Sequence, residues 1–309
     1  MNYKGLFYFK AMVWIVLAML GLSACNSPAP STSPAPVISP QVSVSPPPSE
    51  AEAQATITAS PTAAPLAAIV NNEPISLEEF QIELGLFQAA TADDLTEEDK
   101  NRVLDTLIDQ TLLAQAAQEN GFSVEEESLE IRIQQLAAQM GGMDLLENWI
   151  TTQGYSPELF RQALSRSLLA AWMRDQITAA VPREADQVLA RQILVYTQEE
   201  ADQVYTQLKA GNDFGNLALQ YNPLTGGNML WFPRGYLPDS KLDEAIFNLQ
   251  PGEYSAVIET LAGFHIVQVL ERETARPLEA DALQVLQTNA LQEWLDQRRH
   301  ESQIQILAP

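Results

Sequence analysis

Leu189-Ala-Arg-Gln-Ile-Leu-Val195 and Thr260-Leu-Ala-Gly-Phe-His-Ile-Val-Gln-Val-Leu270 decide how this chain folds. Both are apolar runs of strand character. Between them lie a helix with strong end signals, the double glycine Gly226-Gly227, and the segment Met229-Leu-Trp-Phe-Pro-Arg-Gly-Tyr-Leu237. The stretch from Val188 to Glu271 therefore opens and closes one small α/β unit. The boundary before it is Val181-Pro182, where a purely helical pattern stops.

Working outward toward the N-terminus, residues 66–182 predict a helical domain preceded by one strand. Leu66 to Asn71 is short and apolar, and Asn71-Asn-Glu-Pro74 turns the chain. Ser76-Leu-Glu-Glu79 and Ser123-Val-Glu-Glu126 have the spacing of capping boxes, and Thr96 opens the helix between those two. In that middle helix Val103, Leu104, Leu107, Ile108, Thr111 and Leu112 form one stripe, which Gly121 ends. Gly141-Gly142 and Gly154 terminate two further helices. Ser156-Pro157 then sets a cap and a first-turn proline before a long helix, with Leu159, Phe160, Ala163, Leu164, Leu168, Ala171 and Trp172 on one face. Each stripe is accounted for by core packing.

Toward the C-terminus, Leu283, Leu286, Ala290, Leu291, Trp294 and Leu295 mark another amphipathic helix, followed by a strand-like Ile304-Gln-Ile-Leu307. Neither can stand alone, and the strand at Ala67 to Val70 offers an unpaired edge. The expectation is that residues 276–309 return to the helical domain, leaving residues 183–275 as an insertion.

The first 65 residues have another character. Lys4 and Lys10 precede the apolar run Ala11 to Leu22, which is too short to span a bilayer stably. Leu22-Ser-Ala-Cys25 matches a bacterial lipobox, so residues 1–24 are expected to be a lipoprotein signal peptide and Cys25 the lipidated residue. Residues 25–65 contain ten of the 19 prolines among Ser, Thr and Ala, a composition that cannot bury enough surface to fold. They are expected to be a disordered linker holding the folded part away from the membrane. Cys25 is the single cysteine, so its modification leaves no thiol for a disulfide, a metal site or a nucleophile.

Charge excludes some partners. The chain carries 17 basic and 40 acidic residues, and a product starting at Cys25 keeps 15 of the basic ones. A field of that sign repels nucleic acid and anionic headgroups. With two histidines and no available thiol, a His/Cys zinc site is not expected, and no phosphate loop, dinucleotide fingerprint or nucleophile elbow occurs. No metal and no cofactor are therefore assigned.

Within residues 188–271 a family resemblance follows from a series of motifs in order. These are Leu189 to Val195, Thr197-Gln-Glu-Glu-Ala201, Gly211-Asn-Asp-Phe214, Gly226-Gly227, Trp231-Phe-Pro-Arg-Gly235, Ala245-Ile-Phe247, Leu249-Gln-Pro-Gly-Glu253 and Gly263-Phe-His-Ile-Val267. The series resembles parvulin-type peptidyl-prolyl isomerases, and the flanking helices with a lipid anchor resemble the SurA and PrsA group of extracytoplasmic foldases. The resemblance implies an α+β fold: a helical domain built from both termini, with an inserted four-stranded antiparallel parvulin-like domain.

It also implies a site. The family's proline pocket falls on Leu237, Leu242 and Phe247, and its polar cluster on Gln192, Thr260 and His265. The chain departs from the pattern at several of these positions. Gln192 replaces the first family histidine, Leu242 replaces an aromatic residue, Ala262 a serine, and Leu230 a glycine. The loop Asn222-Pro-Leu-Thr225 is short and lacks the usual Cys or Asp. The activity implied is cis–trans isomerisation of X–Pro bonds in unfolded or newly translocated polypeptides, by a protein tethered outside the cytoplasm. The alternative is a non-catalytic binding chaperone that retains a degenerate parvulin domain. An assembly lipoprotein with one fixed partner is a third reading.

Overall fold

The structure, a computed structural model, describes residues 64–308. The expected signal segment, the lipidation site Cys25 and nearly all of the linker lie outside the described residues. The chain runs through β1 (Leu66–Val70), β2 (Glu73–Ser76), α1 (Leu77–Thr91), α2 (Glu97–Glu119), α3 (Glu126–Met140), α4 (Met143–Gln153) and α5 (Pro157–Ala179). It continues through β3 (Glu184–Val195), α6 (Gln198–Lys209), α7 (Phe214–Tyr221), β4 (Asn228–Pro233), α8 (Ser240–Phe247), β5 (Ile258–Thr260) and β6 (Gly263–Pro277). It closes with α9 (Ala280–Glu301) and β7 (Ile304–Ile306).

Two sheets organise these elements. In the small sheet, ordered β2-β1-β7, the C-terminal strand pairs antiparallel with the first one, Ala68 opposite Ile306 and Val70 opposite Ile304. Flanking backbone bonds extend the pairing, from Asn71 N–H to the Gln303 carbonyl and from Leu307 and Ala308 N–H to the Ala67 carbonyl. The return of the C-terminus is thus a direct strand pairing. The residues expected only to turn the chain after β1 form half of a hairpin: Glu73 to Ser76 is β2, with Asn71 and Asn72 supplying the positive φ of its turn.

Helix α2 is the central rod of the helical domain. Its predicted stripe faces β1, β2 and α1, where Val103, Leu104, Leu107, Ile108 and Leu112 join Ile75 and Phe80 in one core. Its opposite face buries Leu113, Ala114 and Ala117 against α5 and α9. Phe122 stacks on Trp172 there, with ring centroids 4.7 Å apart. Helix α5 is correspondingly covered on several sides, and its buried residues are Leu164, Leu169 and Ala170 rather than one narrow stripe.

The helix ends obey local chemistry, with two corrections. Thr96 and Asp99 make the reciprocal capping box of α2. Ser76 accepts the Glu79 N–H, but the Glu79 side chain turns inward to Arg166, so the motif caps in one direction only. The second expected box does not form: Glu125 is the N-cap of α3 with no side-chain bond, and Ser123 Oγ donates to Glu125 instead. Gly141 ends α3 in the left-handed conformation that a glycine adopts without steric cost.

The second sheet, ordered β4-β3-β6-β5, is antiparallel throughout. Side chains alternate across it. Ile193, Val195 and Ile266 pack under α6 and α7. Val188, Ala190, Val267 and Val269 face the other way, toward Phe232 and α8. Helix α9 touches both units: Arg299 pairs with Asp105 and Asp109 of α2, while Asn289 donates to the Gly235 carbonyl at 2.8 Å.

Candidate functional site

The face of the larger sheet that carries α8 brings three of the sequence-predicted polar residues into one chain of hydrogen bonds. His265 stands on β6 opposite Leu194 of β3, which places Gln192, two residues back, diagonally across from it on the same face. Gln192 Oε1 lies 2.8 Å from His265 Nδ1, and Thr260 Oγ1 lies 2.9 Å from His265 Nε2. The Ala262 N–H donates to Thr260 Oγ1 at 3.0 Å. With the carboxamide oxygen facing the ring, Nδ1 carries the proton and Nε2 accepts from the threonine hydroxyl.

His265 is buried, and burial lowers its pKa by disfavouring the imidazolium, an effect partly offset by the charge of Asp239. The ring is therefore neutral at pH 7, in keeping with the tautomer the contacts select. The network can orient a hydroxyl and an imidazole edge, and it contains no activated nucleophile.

Backbone geometry holds these residues in place. The Gln192 N–H donates to the Gly227 carbonyl at 2.8 Å. Gly227 has φ +72°, and a Cβ there would lie 1.8 Å from the Gln192 carbonyl oxygen. Only glycine allows that approach. Gly263 occupies the same kind of position beside Val195, where a Cβ would meet the carbonyl oxygen at 2.6 Å.

The three apolar residues predicted for the proline pocket cluster on this face, at different depths. Leu242 and Phe247 of α8 are both buried, in a core with Phe232, Ile246 and Val267, and Leu237 is partly buried against the same cluster. Phe247 meets Phe232 edge-on, with centroids 6.1 Å apart and planes at 79°. The Arg234 guanidinium lies over the Phe247 ring at 4.7 Å. Helix α8 packs on β5 and β6, the strands that bear Thr260 and His265.

Two residues of the arrangement escaped the sequence reading. Asp243 is buried and accepts the Gly235 N–H at 2.9 Å, with further support from the Leu237 amide, and so fixes the turn that presents Leu237. Burial raises its pKa against those contacts. Its signal was an acid set between Leu242 and Ile246 on the apolar face of a helix. Asp239 caps α8 through the Leu242 N–H at 3.0 Å and is the charge felt by His265. Exposed apolar side chains adjoin the network in sequence: Tyr196 after β3, Leu224 before the double glycine and Leu261 beside Thr260. Among the described residues no group of three or more His, Cys, Asp or Glu could hold a metal ion, and no helix is long and apolar enough to cross a membrane.

Comparison with known proteins agrees with this geometry. Residues 189–271 match the PPIC-type PPIase domain, and residues 52–174 match the SurA-like N-terminal domain. The chaperone SurA of Alcanivorax borkumensis is 28% identical over 211 residues, covering 56% of this chain and 48% of that protein. The foldase protein PrsA of Caldanaerobacter subterraneus subsp. tengcongensis is 28% identical over 194 residues, covering 58% and 59% respectively. The chain thus spans about half the length of these relatives. A crystal structure of the peptidylprolyl isomerase PrsA from Bacillus cereus aligns over 78% of this chain and 87% of its own at 19% identity, with a TM-score of 0.43. With one family model on each side of the Val181-Pro182 boundary, the chain joins a SurA-like N-terminal domain to a PPIC-type PPIase domain and is similar to proteins named SurA and PrsA.

Proposed function

We propose that this chain is a lipid-tethered foldase acting outside the cytoplasm, which binds unfolded polypeptides and accelerates cis–trans isomerisation of their X–Pro bonds. The observation that carries the reading is the Gln192–His265–Thr260 chain of hydrogen bonds, on the sheet face that also holds Leu237, Leu242 and Phe247. Rotation about a peptide bond crosses about 20 kcal/mol because amide resonance is lost. A catalyst needs to bind the twisted amide better than either planar form. Apolar residues suit the proline ring, and a preorganised hydroxyl and imidazole suit the carbonyl as its electron density changes. In this reading Thr260 and His265 face the reacting amide, Gln192 fixes the histidine tautomer, and Asp243 positions Leu237.

The tether rests on the lipobox at Cys25 and the proline-rich segment after it. A binding chaperone without catalysis is the second reading, and one observation favours it: Gln192 gives the network a carboxamide where the family has a second imidazole.

Exchange spectroscopy by NMR on short proline peptides, with residues 64–309 as catalyst, separates the two. The expected result is exchange well above the uncatalysed rate, lowered by at least tenfold in His265→Ala. Exchange at the uncatalysed rate for every residue tried before proline would leave the binding chaperone as the better account.

A further inference from the structure

Two connections join the inserted domain to the helical one. The first is the outer ends of β3 and β6, a two-stranded ribbon in which Ala185 lies opposite Arg276 and the Leu278 N–H donates to the Arg183 carbonyl at 2.9 Å. A register shift between Ala185 and Gln187 and the positive φ of Ala275 interrupt its regularity. A two-stranded ribbon is marginal on its own, so it does not by itself fix how the two units sit. The second connection is α9, a 22-residue helix without glycine or proline. It is about 33 Å long at 1.5 Å per residue.

One end of α9 is anchored in the helical domain. Leu291, Trp294 and Leu295 share a core with Leu113 and Ala170, and Arg299 pairs with Asp105 and Asp109. Gln287 Nε2 donates to the Thr178 carbonyl at 3.1 Å. The other end grips the turn 233–237 of the inserted domain. Asn289 Nδ2 donates to the Gly235 carbonyl at 2.8 Å, and the Tyr236 hydroxyl donates to Asp281 Oδ2 at 3.0 Å. A Cβ on Gly235 would lie 3.5 Å from Leu286 Cδ2, so the backbone rests against that side chain. From the opposite side α8 holds the same residue, since the Gly235 N–H donates to Asp243. Gly235 is thus fixed through its N–H by α8 and through its carbonyl by α9, at φ +80°, where glycine carries no steric cost. The residues beside it serve the pocket: Arg234 covers Phe247, Tyr236 stacks on Phe232 with centroids 6.2 Å apart, and Leu237 follows.

We propose that α9 completes the prolyl site: Asp281 and Asn289, which lie outside the inserted domain, are positioning residues that hold the turn 233–237 and, through it, Leu237 at the pocket. The proposal rests on the foldase reading and adds to it a dependence of proline recognition on the helical domain. A loosened turn lets Leu237 leave the pocket, which weakens the ground state and the transition state alike. Thr260 and His265 stand on β5 and β6, away from the turn, so turnover at saturation is unaffected. Both bonds are exposed and individually weak, so the two are tested together.

NMR titration of the full chain with acetyl-Ala-Ala-Pro-Phe-amide and its Pro-to-Ala counterpart, combined with residue-resolved hydrogen exchange, tests the idea. The wild-type chain is expected to prefer the proline peptide. In the double variant Asp281→Ala/Asn289→Ala its dissociation constant should rise about fivefold, with no change for the counterpart. The Gly235 amide should exchange at least about tenfold faster there, while Val267 and Leu112 keep their protection. Where prolyl exchange is catalysed, KM should rise with kcat held, whereas His265→Ala lowers kcat. Asp281→Asn retains an acceptor for the Tyr236 hydroxyl and should behave as wild type. Tyr236→Phe removes that bond from its other end and should match Asp281→Ala, with no added loss when the two are combined. An unchanged proline preference and unchanged Gly235 exchange in the folded double variant would overturn the proposal and leave the foldase reading intact. A change in only one of these readouts would overturn it too, because the turn would not then be the link. Loss of protection throughout both domains would mark a general contribution to stability and also overturn it. A wild-type chain that does not distinguish the two peptides would overturn the foldase reading and this proposal together.

Discussion

At the scale of single residues, His265 carries the clearest consequence. Burial sets its folded pKa below the ordinary value of about 6.5. Protons therefore bind the unfolded chain more readily. The histidine's contribution to stability is complete above that ordinary value and is lost as pH falls toward the folded one. An imidazolium would also forfeit the bond that Nε2 accepts from Thr260. Prolyl exchange is expected to be level from pH 8 to about 6.5 and to decline below it. Asp239→Asn keeps a good N-cap but removes the charge that favours the imidazolium, so the decline should move to lower pH. A profile unmoved by that substitution would show that another group controls it. Leu230 shows what sequence reading misses at this scale. It replaces a glycine of the family, yet its backbone keeps φ +61°, the left-handed region where glycine is at ease.

At the scale of elements, the buried pair of Glu79 on α1 and Arg166 on α5 ties the first helix of the domain to the last before the insertion. Removing one partner strands the other charge in the interior. Glu79→Ala is expected to lower stability by about 3–5 kcal/mol, seen as a fall in the urea midpoint. Glu83→Gln should cost little at neutral pH, because its carboxamide can still accept from Tyr155 and the penalty of burying a carboxylate disappears. If the two substitutions cost the same, the pair is not the tie inferred here. Helix positions were legible in the sequence because caps and stripes are local. Thr96, Ser156-Pro157, Gly141 and Gly154 act where the pattern puts them. The box expected at Ser123 failed, and that at Glu79 is half made, because a long-range partner decides where a carboxylate goes. The hairpin strand β2 was missed since Asn71-Asn-Glu-Pro74 has the composition of a turn, and pairing with β1 is a tertiary fact.

At the scale of the whole molecule, α9 and β7 close the helical domain around an insertion. Motif order made the inserted domain legible, and an unpaired strand edge foretold where the C-terminus goes. A cavity in the helical domain lined by Glu83, Trp149 and Arg166 was invisible in the sequence, because these residues come from three different helices with no common spacing. Deleting residues 303–309 removes β7 and the buried Ala308 and leaves one edge of β1 open. The helical domain is expected to lose about 3 kcal/mol while residues 183–275 keep their protection. Hydrogen exchange read residue by residue distinguishes the two regions. Uniform loss across both would mean that they unfold as one unit, and no loss in either would mean that β7 is ornamental.

The pairing of β1 with β7 also sets a timetable. A polypeptide made or exported from its N-terminus presents Leu66 to Val70 long before Ile304 to Ile306 exist. Until then β1 keeps an open edge, a template for wrong partners. The strands of the insertion pair within a shorter span, β3 with β6 and β5 with β6, and short loops close faster. A protein whose relatives are named for helping others fold is therefore itself finished last at its beginning, and its own first strand waits for the final residues to arrive.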